Sequence, residues 1–431
     1  MDASGRVLWA ASGYKAILEV EKITSDTYAG EQTYEDEQFI LLDIYPKTNG
    51  TVKVTYGDAD WTITDESGAE APNAQQVYFG VFNNDHTYEA TPASGELTIE
   101  GDYYAFAVGT YRIKSDILNK VTTEYCSCIT NIIDWGTLEY IAAGAFANCA
   151  KLSVIELPSK ITSIGARAFY NCRSLTSITI PNGVTSIGSD AFYSCSLTSI
   201  TIPEGVTSIE HGLFASCRNL TSVVMPNTVT RISNEAFNMC GSLALTSLPN
   251  ALINIGMEAF YMCTSLALTS LPSGLTSIGE AAFFGCGNMT ISELPSGITS
   301  IEKKAFYGCG NMTISELPSG LTSIEDGVFQ SCTKITVKSL PSGVTSIGGW
   351  GFQNCEAIPS MIIPSGVTSI GKNAFNACAA LSSVTFENTS GWYVTQTANA
   401  TSGINIDVTN ATNNVTLLKS TYGNGYYWYR S

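Results

Sequence analysis

Residues 175–195 read LTSITIPNGVTSIGSDAFYSC, and close variants of this stretch recur along most of the chain with a period of 23 residues. The shared pattern is L-x-x-I-x-I-P-x-x-V-T-x-I-x-x-x-A-F-x-x-C. Part of another unit, GCGNMTISELPSG, is present without change at 285–297 and at 308–320. A fixed period in the twenties is typical of a solenoid, in which each unit forms one coil and buries its apolar edge only against its neighbours. The repeat therefore predicts a structural unit that local duplication has copied.

Proline, phenylalanine and cysteine recur at this period. The phenylalanines are Phe146, Phe169, Phe192, Phe214, Phe237, Phe260, Phe283, Phe306, Phe329, Phe352 and Phe375. Twelve of the thirteen cysteines are in step, with one interval of 22: Cys126, Cys149, Cys172, Cys195, Cys217, Cys240, Cys263, Cys286, Cys309, Cys332, Cys355 and Cys378. Zinc sites need closely spaced cysteine pairs, and only Cys126 and Cys128 are that close. We interpret the column as small, buried, free thiols, since the parallel side chains of stacked coils suit disulfides poorly.

Each unit is predicted to contain two short strands and a turn. Ile178 and Ile180 alternate with threonine as a half-buried strand requires, and Pro181 ends that strand in a turn. Val184 and Ile187 indicate a second strand. The stretch SDAFYSC favours a single helical or 3₁₀ turn that carries the chain back to the next coil.

Units from Leu243 to Leu340 differ from the others because they read LALTSLP, with one apolar residue moved by one place. The shifted residues are Leu245, Leu268, Ile291, Ile314 and Val337. Such a shift turns a side chain to the other face of a strand unless a bulge absorbs it. We therefore expect a backbone kink between 226 and 249, where the two types meet.

The fold class expected is mainly β with short helical turns. Residues 126–386 form the solenoid, as a degenerate first coil and eleven coils with phenylalanine, and 387–431 form its C-terminal cap. An aromatic binding tip is the alternative for the cap: Tyr426, Tyr427, Trp428 and Tyr429. Alternating strands and a Gly-Asp turn in TVKVTYGDADWTITD predict a small β-sandwich-like domain at 38–125. Residues 1–37 are expected to be a lead-in segment.

Charge and composition exclude several classes of function. The net charge is −17, and residues 1–125 hold 21 acidic against 8 basic residues, so no basic face for nucleic acid is expected. No apolar run is long enough to span a membrane, and the N-terminus shows no signal peptide. His86 and His211 are the only histidines, and neither belongs to a nucleophile or metal motif. We therefore predict a protein without catalytic activity, metal or cofactor.

The unit L-x-x-I-x-I-P-x-x-V-T-x-I-G-x-x-A-F-x-x-C closely resembles the BspA-type leucine-rich repeat of bacterial surface proteins. The ending GWYVT…YGNGYYWYRS resembles the caps of such proteins. The resemblance covers about 126–386, and it implies a right-handed leucine-rich-repeat solenoid, a location at the cell surface or outside the cell, and a role in adhesion or binding to an extracellular protein or glycan. It transfers no residue-level site to this chain.

Two surfaces are candidates for that binding. We call the first the outer strip; it consists of the residues two places before each proline, which are expected to point outward: Glu156, Thr179, Thr201, Val224, Ser247, Ser270, Glu293, Glu316, Ser339 and Ile362. We call the second the aromatic ridge; it consists of residues that follow the column phenylalanines: Tyr170, Tyr193, Tyr261, Phe284 and Tyr307. Aromatic residues are favoured at interfaces, but packing between coils would also explain the ridge, and a solvated hydroxyl ladder would explain the strip. A structural or receptor-binding part of a larger assembly, such as a phage virion, remains the alternative to a recognition protein.

Overall fold

The computed structural model describes Ile141 and residues 143–431 in full, and before them it describes only the backbone of the strands between Tyr14 and Ile141. The chain divides into two units, Met1–Val206 and Thr207–Ser431. Cys126, Cys128 and Trp135 lie outside the described residues. The degenerate first coil that they mark therefore stays a prediction.

Two antiparallel sheets precede the coils. Their strands are β1 (Tyr14–Val20), β2 (Gln38–Pro46), β3 (Thr51–Tyr56), β4 (Ala59–Thr64), β5 (Gln75–Gly80), β6 (Gly95–Gly101), β7 (Tyr103–Ser115), β8 (Val121–Tyr125) and β9 (Ile129–Asp134). One sheet has the order β4-β3-β6-β1-β9 and the other β5-β2-β7-β8. The predicted hairpin is confirmed, because β3 pairs with β4 and Tyr56 lies opposite Ala59. The first sheet includes β1 and β9, which come before and after the predicted 38–125 domain in the sequence.

The remainder of the first unit consists of coils. Its strands are β10 (Tyr140–Ile141), β11 (Val154–Glu156), β12 (Ser163–Ile164), β13 (Ser177–Thr179), β14 (Ser186–Ile187) and β15 (Ser199–Thr201). Strands β10, β12 and β14 pair in parallel, and β11 pairs in parallel with β13. Partners such as Ile155 and Ile178 are 23 residues apart. One repeat therefore makes one coil, as predicted.

The second unit continues with the same kind of coil. Its strands before the cap are β16 (Ser208–Ile209), β17 (Ser222–Val224), β18 (Arg231–Ile232), β19 (Asn254–Ile255), β20 (Ser277–Ile278), β21 (Ser300–Ile301), β22 (Ser323–Ile324), β23 (Ser346–Ile347), β24 (Ser360–Ile363), β25 (Ser369–Ile370) and β26 (Ser383–Phe386). The second strand of each coil pairs in parallel in two runs, β16-β18-β19-β20-β21 and β22-β23-β25.

The LALTSLP units differ from their neighbours in the first strand. Between β17 and β24 the described chain has no regular first strand. Single hydrogen bonds join successive coils there instead, such as the one from Ala267 N to Leu245 O at 3.0 Å. The shifted apolar residue is fully buried at Leu268 and in the three later units. The regular first strand is lost in these units because the backbone adjusts to keep that side chain in the core.

Phenylalanine rings form the centre of the packing in each unit. Every column phenylalanine is at most 1% exposed. In the first unit the rings of Phe146 and Phe169 are stacked with centroids 5.4 Å apart. In the second unit the spacing ranges from 5.2 Å, between Phe237 and Phe260, to 5.9 Å between Phe306 and Phe329. Near-parallel rings at this spacing bury a large apolar area with little freedom to rearrange.

The cysteine column lies beside the rings, and each of its described members is a free, buried thiol. Cys172 donates a hydrogen bond through Sγ to the carbonyl oxygen of Phe146 at 3.0 Å. Cys286 donates in the same way to the oxygen of Phe260, also at 3.0 Å. Seven further cysteines repeat the contact at 3.0–3.1 Å. The thiol thus fills a small space and also supplies a weak donor to a buried carbonyl.

The segment after the second strand turns the chain through a succession of hydrogen-bonded turns. In residues 167–172, the N–H groups of Arg167, Phe169 and Asn171 donate to the following coil at 2.7–2.8 Å. The three N–H groups between and after them close turns within their own coil at 3.1–3.3 Å. Arg167 and Asn171 have φ of 56° and 60°, in the left-handed region. This alternation gives each coil its bonds to the next without a regular α-helix or 3₁₀-helix.

The C-terminal cap closes the second unit. Its elements are β27 (Trp392–Thr395), β28 (Ile404–Asn405), helix α1 (Ala411–Thr416) with a π-helical continuation (Leu417–Thr421), and β29 (Tyr427–Arg430). Strand β29 runs antiparallel to β25 and to β27. Phe386 stacks on Trp428 at 6.2 Å and meets Trp392 edge-on at 5.0 Å. The cap therefore covers the last coil with aromatic side chains.

Candidate functional site

All ten side chains of the outer strip are exposed. Within the first unit, Glu156 and Thr179 lie opposite each other on β11 and β13, because the alternation of these strands places Ile155 and Ile178 inside. In the second unit the strip begins at Val224, which is 60% exposed, and ends at Ile362, which is 42% exposed. Hydroxyl and carboxyl groups lie between these two apolar residues. The predicted orientation of the strip is thus confirmed, while its role in binding stays a prediction.

The strip is interrupted in the second unit by a cleft of about 300 Å³, which we call the junction cleft. It is lined by Val223, Val224, Met225, Leu245 and Ser247, among others. These residues lie where the regular first strand β17 is followed by the first LALTSLP unit. The predicted change between the two repeat types therefore coincides with a concave place on the surface.

Rings of the aromatic ridge stack on one another and are half-buried. In the first unit Tyr170 and Tyr193 have centroids 4.8 Å apart. In the second unit Phe284 stacks on Tyr261 at 4.8 Å and on Tyr307 at 4.3 Å. These rings are therefore in contact with one another between successive coils. The geometry therefore favours the packing interpretation of the ridge.

The four residues of the aromatic tip, predicted as an alternative for the cap, are not all at the surface. Trp428 is 1% exposed and belongs to the core, so it cannot form part of an exposed tip. Tyr426, Tyr427 and Tyr429 are half-buried and reach the surface. Strand alternation explains the positions of Tyr427 and Tyr429, because the side chains on either side of Trp428 in β29 point away from the core.

Titratable groups give no sign of an acid–base centre in the part of the chain that the structure describes. Burial raises the pKa of the Cys240, Cys332 and Cys378 thiols to about 12, which makes them poor nucleophiles. The pKa of exposed Asp407 is lowered by hydrogen bonds from Thr409. No three metal-ligating side chains come together among the described residues. No helix in the same range is long and apolar enough to cross a membrane.

Comparison with known families identifies the family of the repeat. The family model for the BspA type leucine rich repeat region matches in overlapping segments, 139–267, 185–313, 230–358 and 299–422. The chain belongs to the BspA-type leucine-rich repeat family. The last matched segment of this BspA-type chain ends at residue 422, beyond the last phenylalanine coil.

Solved structures with similarity to this BspA-type chain come from several bacteria. A leucine rich cell surface protein from Faecalibacterium prausnitzii is 26% identical, covering 65% of this chain and 94% of its own, with a TM-score of 0.39. A leucine-rich repeat protein from Bacteroides ovatus is 24% identical over 64% and 92%, with a TM-score of 0.37. The pneumococcal vaccine antigen PcpA is 19% identical over 66% and 81%, with a TM-score of 0.45. Curated protein sequences give no match.

Sequence reasoning missed a second concave place, which we call the cap cleft. It has a volume of about 260 Å³, and its lining combines turn residues of three coils, such as Trp350, with Asn399, Tyr427 and Tyr429 of the cap. The cap residues are far along the chain from their partners, so the repeat period does not indicate the contact. In the sequence, the aromatic run at 426–429 was the only indication of the cap cleft.

Proposed function

We propose that this BspA-type chain is a non-catalytic recognition protein, located at the cell surface or secreted, that binds a partner protein through the outer strip. The single observation that carries the proposal is the exposure of all ten strip side chains on a backbone held by bonds between coils. A surface that is already ordered loses little conformational entropy when a partner binds. Repeat arrays offer such faces for broad contacts.

The composition of the strip in the second unit indicates the chemistry of the partner. Val224 and Ile362 supply apolar contacts at its two ends. Glu293 and Glu316 are exposed between them and are acidic. A protein with basic residues in the middle of its contact and apolar residues at its ends fits this arrangement. The junction cleft beside Val224 offers a place for one apolar side chain of such a partner.

The proposal is tested by surface plasmon resonance of the full chain against immobilised extracellular-matrix proteins. Reversing two strip charges, Glu293→Lys with Glu316→Lys, is expected to weaken binding about tenfold or more. The matched control is Glu280→Lys with Glu302→Lys, which makes the same change of charge at exposed turn residues off the strip. The control is expected to bind as the unchanged chain does.

Equal weakening in both double variants would show that overall charge, and not the strip, governs binding. Absence of binding to every matrix protein would contradict the proposal. Light scattering after size exclusion distinguishes the remaining alternative, since a stable trimer or larger ring would favour a component of an assembly over a separate recognition protein.

A further inference from the structure

The cap cleft lies where strand β29 joins the sheet made by the second strands of the coils. In that sheet Ser346 pairs with Ser369, and Ser369 lies opposite Tyr429. Earlier coils of the second unit pair short Ser-Ile, Arg-Ile or Asn-Ile strands with one another. At the cap, by contrast, the neighbouring strand is rich in tyrosine. The small residues of the coils therefore meet an aromatic wall at this one end of the described sheet.

Two aromatic rings of that wall stack on each other. Tyr427 and Tyr429 are two residues apart on β29 and share its outer face, with ring centroids 6.2 Å apart and planes 19° from parallel. The hydroxyl of Tyr429 accepts a hydrogen bond from the Asn399 N–H at 2.8 Å, which fixes the position of the ring. Trp350 lines the same cleft and is 41% exposed. The cleft thus presents aromatic surface, and the Tyr429 ring in it is held in place by a hydrogen bond.

Hydrogen-bonding groups lie around these rings. Asp326 accepts a bond from the Gly349 N–H at 2.6 Å, and Glu325 accepts one from the Ser323 hydroxyl at 2.7 Å. Each bond engages one oxygen of a carboxylate that has two, so each of these cleft-lining groups retains acceptor capacity. The Lys372 ammonium lies 4.7 Å from the centre of the Tyr427 ring and adds a donor at the same place.

We propose that the cap cleft binds a neutral oligosaccharide. A sugar ring has a face of C–H groups, which packs on aromatic rings, and a rim of hydroxyls, which bond to carboxylates and ammonium groups. An anion does not suit the cleft, because two carboxylates line it with a single ammonium. An apolar peptide does not suit it either, because its lining of serine, aspartate and lysine would lose hydration without gaining partners.

This inference concerns a site separate from the outer strip and goes beyond the proposed function. Binding in the cap cleft does not require the strip to bind a protein. The strip variants described above leave the cap cleft unchanged, so the two proposals fail independently. A chain that binds sugars and no matrix protein would retain the second proposal alone.

The experiment is a glycan array probed with the full chain, followed by calorimetric titration of the best neutral oligosaccharide. Trp350→Ala and Asp326→Asn are each expected to weaken binding about tenfold or more. Asparagine keeps an oxygen for the Gly349 N–H, so Asp326→Asn tests the carboxylate with little effect on folding. Lys304→Ala is the matched control, since Lys304 is exposed and has φ of 55° against 57° for Trp350. This control is expected to bind as the unchanged chain does.

Three results would overturn the inference. They are an array without any bound neutral glycan, affinities for the two cleft variants equal to that of Lys304→Ala, and preferential binding of charged glycans or peptides. Circular dichroism of each variant checks that the fold is kept. If Trp350→Ala fails this check, the comparison of Asp326→Asn with the control decides.

Discussion

Replacing Phe260 by alanine tests the central packing claim directly. The ring is fully buried and lies between two others, with centroids 5.2 Å from Phe237 and 5.4 Å from Phe283. The carbonyl oxygen of Phe260 accepts a hydrogen bond from the thiol of Cys286. Truncation therefore removes the ring and its two stacked contacts, while the surrounding hydrogen bonds prevent the coils from closing the gap.

The expected loss is large for a single substitution. Phenylalanine to alanine in a core costs about 3–5 kcal/mol, including the cavity that remains. Each stacked aromatic pair contributes about 0.5–1.5 kcal/mol beyond its buried area, and two pairs are lost here. We therefore expect the free energy of unfolding to fall by about 4–5 kcal/mol, at the upper end of that range. The neighbouring substitution Tyr261→Ala removes a half-buried ring and should cost about 1–2 kcal/mol.

The measurement is urea unfolding of both variants, followed by far-UV circular dichroism and analysed for the transition of the coils. A repeat array can unfold in more than one step, so the same transition must be compared in each protein. A loss below about 2 kcal/mol for Phe260→Ala, or one no larger than that of Tyr261→Ala, would refute the claim that stacked rings hold the coils together.

Two further predictions concern the thiols and the cap. The pKa of Cys240, Cys332 and Cys378 is raised from 9.0 to about 12, so between these values the unfolded chain releases protons that the folded chain keeps. The buried thiols therefore contribute their full stabilisation below pH 9, and the free energy of unfolding should fall by about 1.4 kcal/mol per pH unit for each thiol as the pH rises further. Unfolding measured at a series of pH values checks this, and a free energy of unfolding that does not change with pH would contradict the burial of the thiols. Asn414 is fully buried and donates to the carbonyls of Val384 and Val408 at 2.8 and 2.9 Å. Asn414→Ala should cost about 1–3 kcal/mol, measured as a lower unfolding midpoint, and a change under about 0.5 kcal/mol would indicate that water replaces the amide.

The repeat allowed the sequence to predict the fold in detail. Residues such as Ile187 and Phe169 recur from coil to coil, and one period dictates their burial throughout. The hydrogen bond of each thiol to a phenylalanine carbonyl was not predictable, since the register shows only that a small residue is needed. The left-handed residues of the turn were also missed, because arginine, asparagine and glutamate occupy them as well as glycine.

The candidate sites were only partly predictable. Exposure of the outer strip follows from strand alternation where the first strand is regular, and Val224 could be placed on it from its distance to Pro226 alone. The cap cleft depends on the antiparallel pairing of β29 with β25, which no periodic signal indicates. Sequence reasoning therefore located the aromatic run but not the side chains, such as Trp350, that the fold brings beside it.

The alternating turn bonds have a consequence for how the length of such a molecule can change. In the turn, each N–H finds its acceptor either within its own coil or at an equivalent place one coil further on. Inserting a whole number of units recreates every one of these bonds, whereas inserting a few residues leaves a full set of donors out of register. Copy number can therefore vary at little cost, while small insertions within the turn are expected to be poorly tolerated.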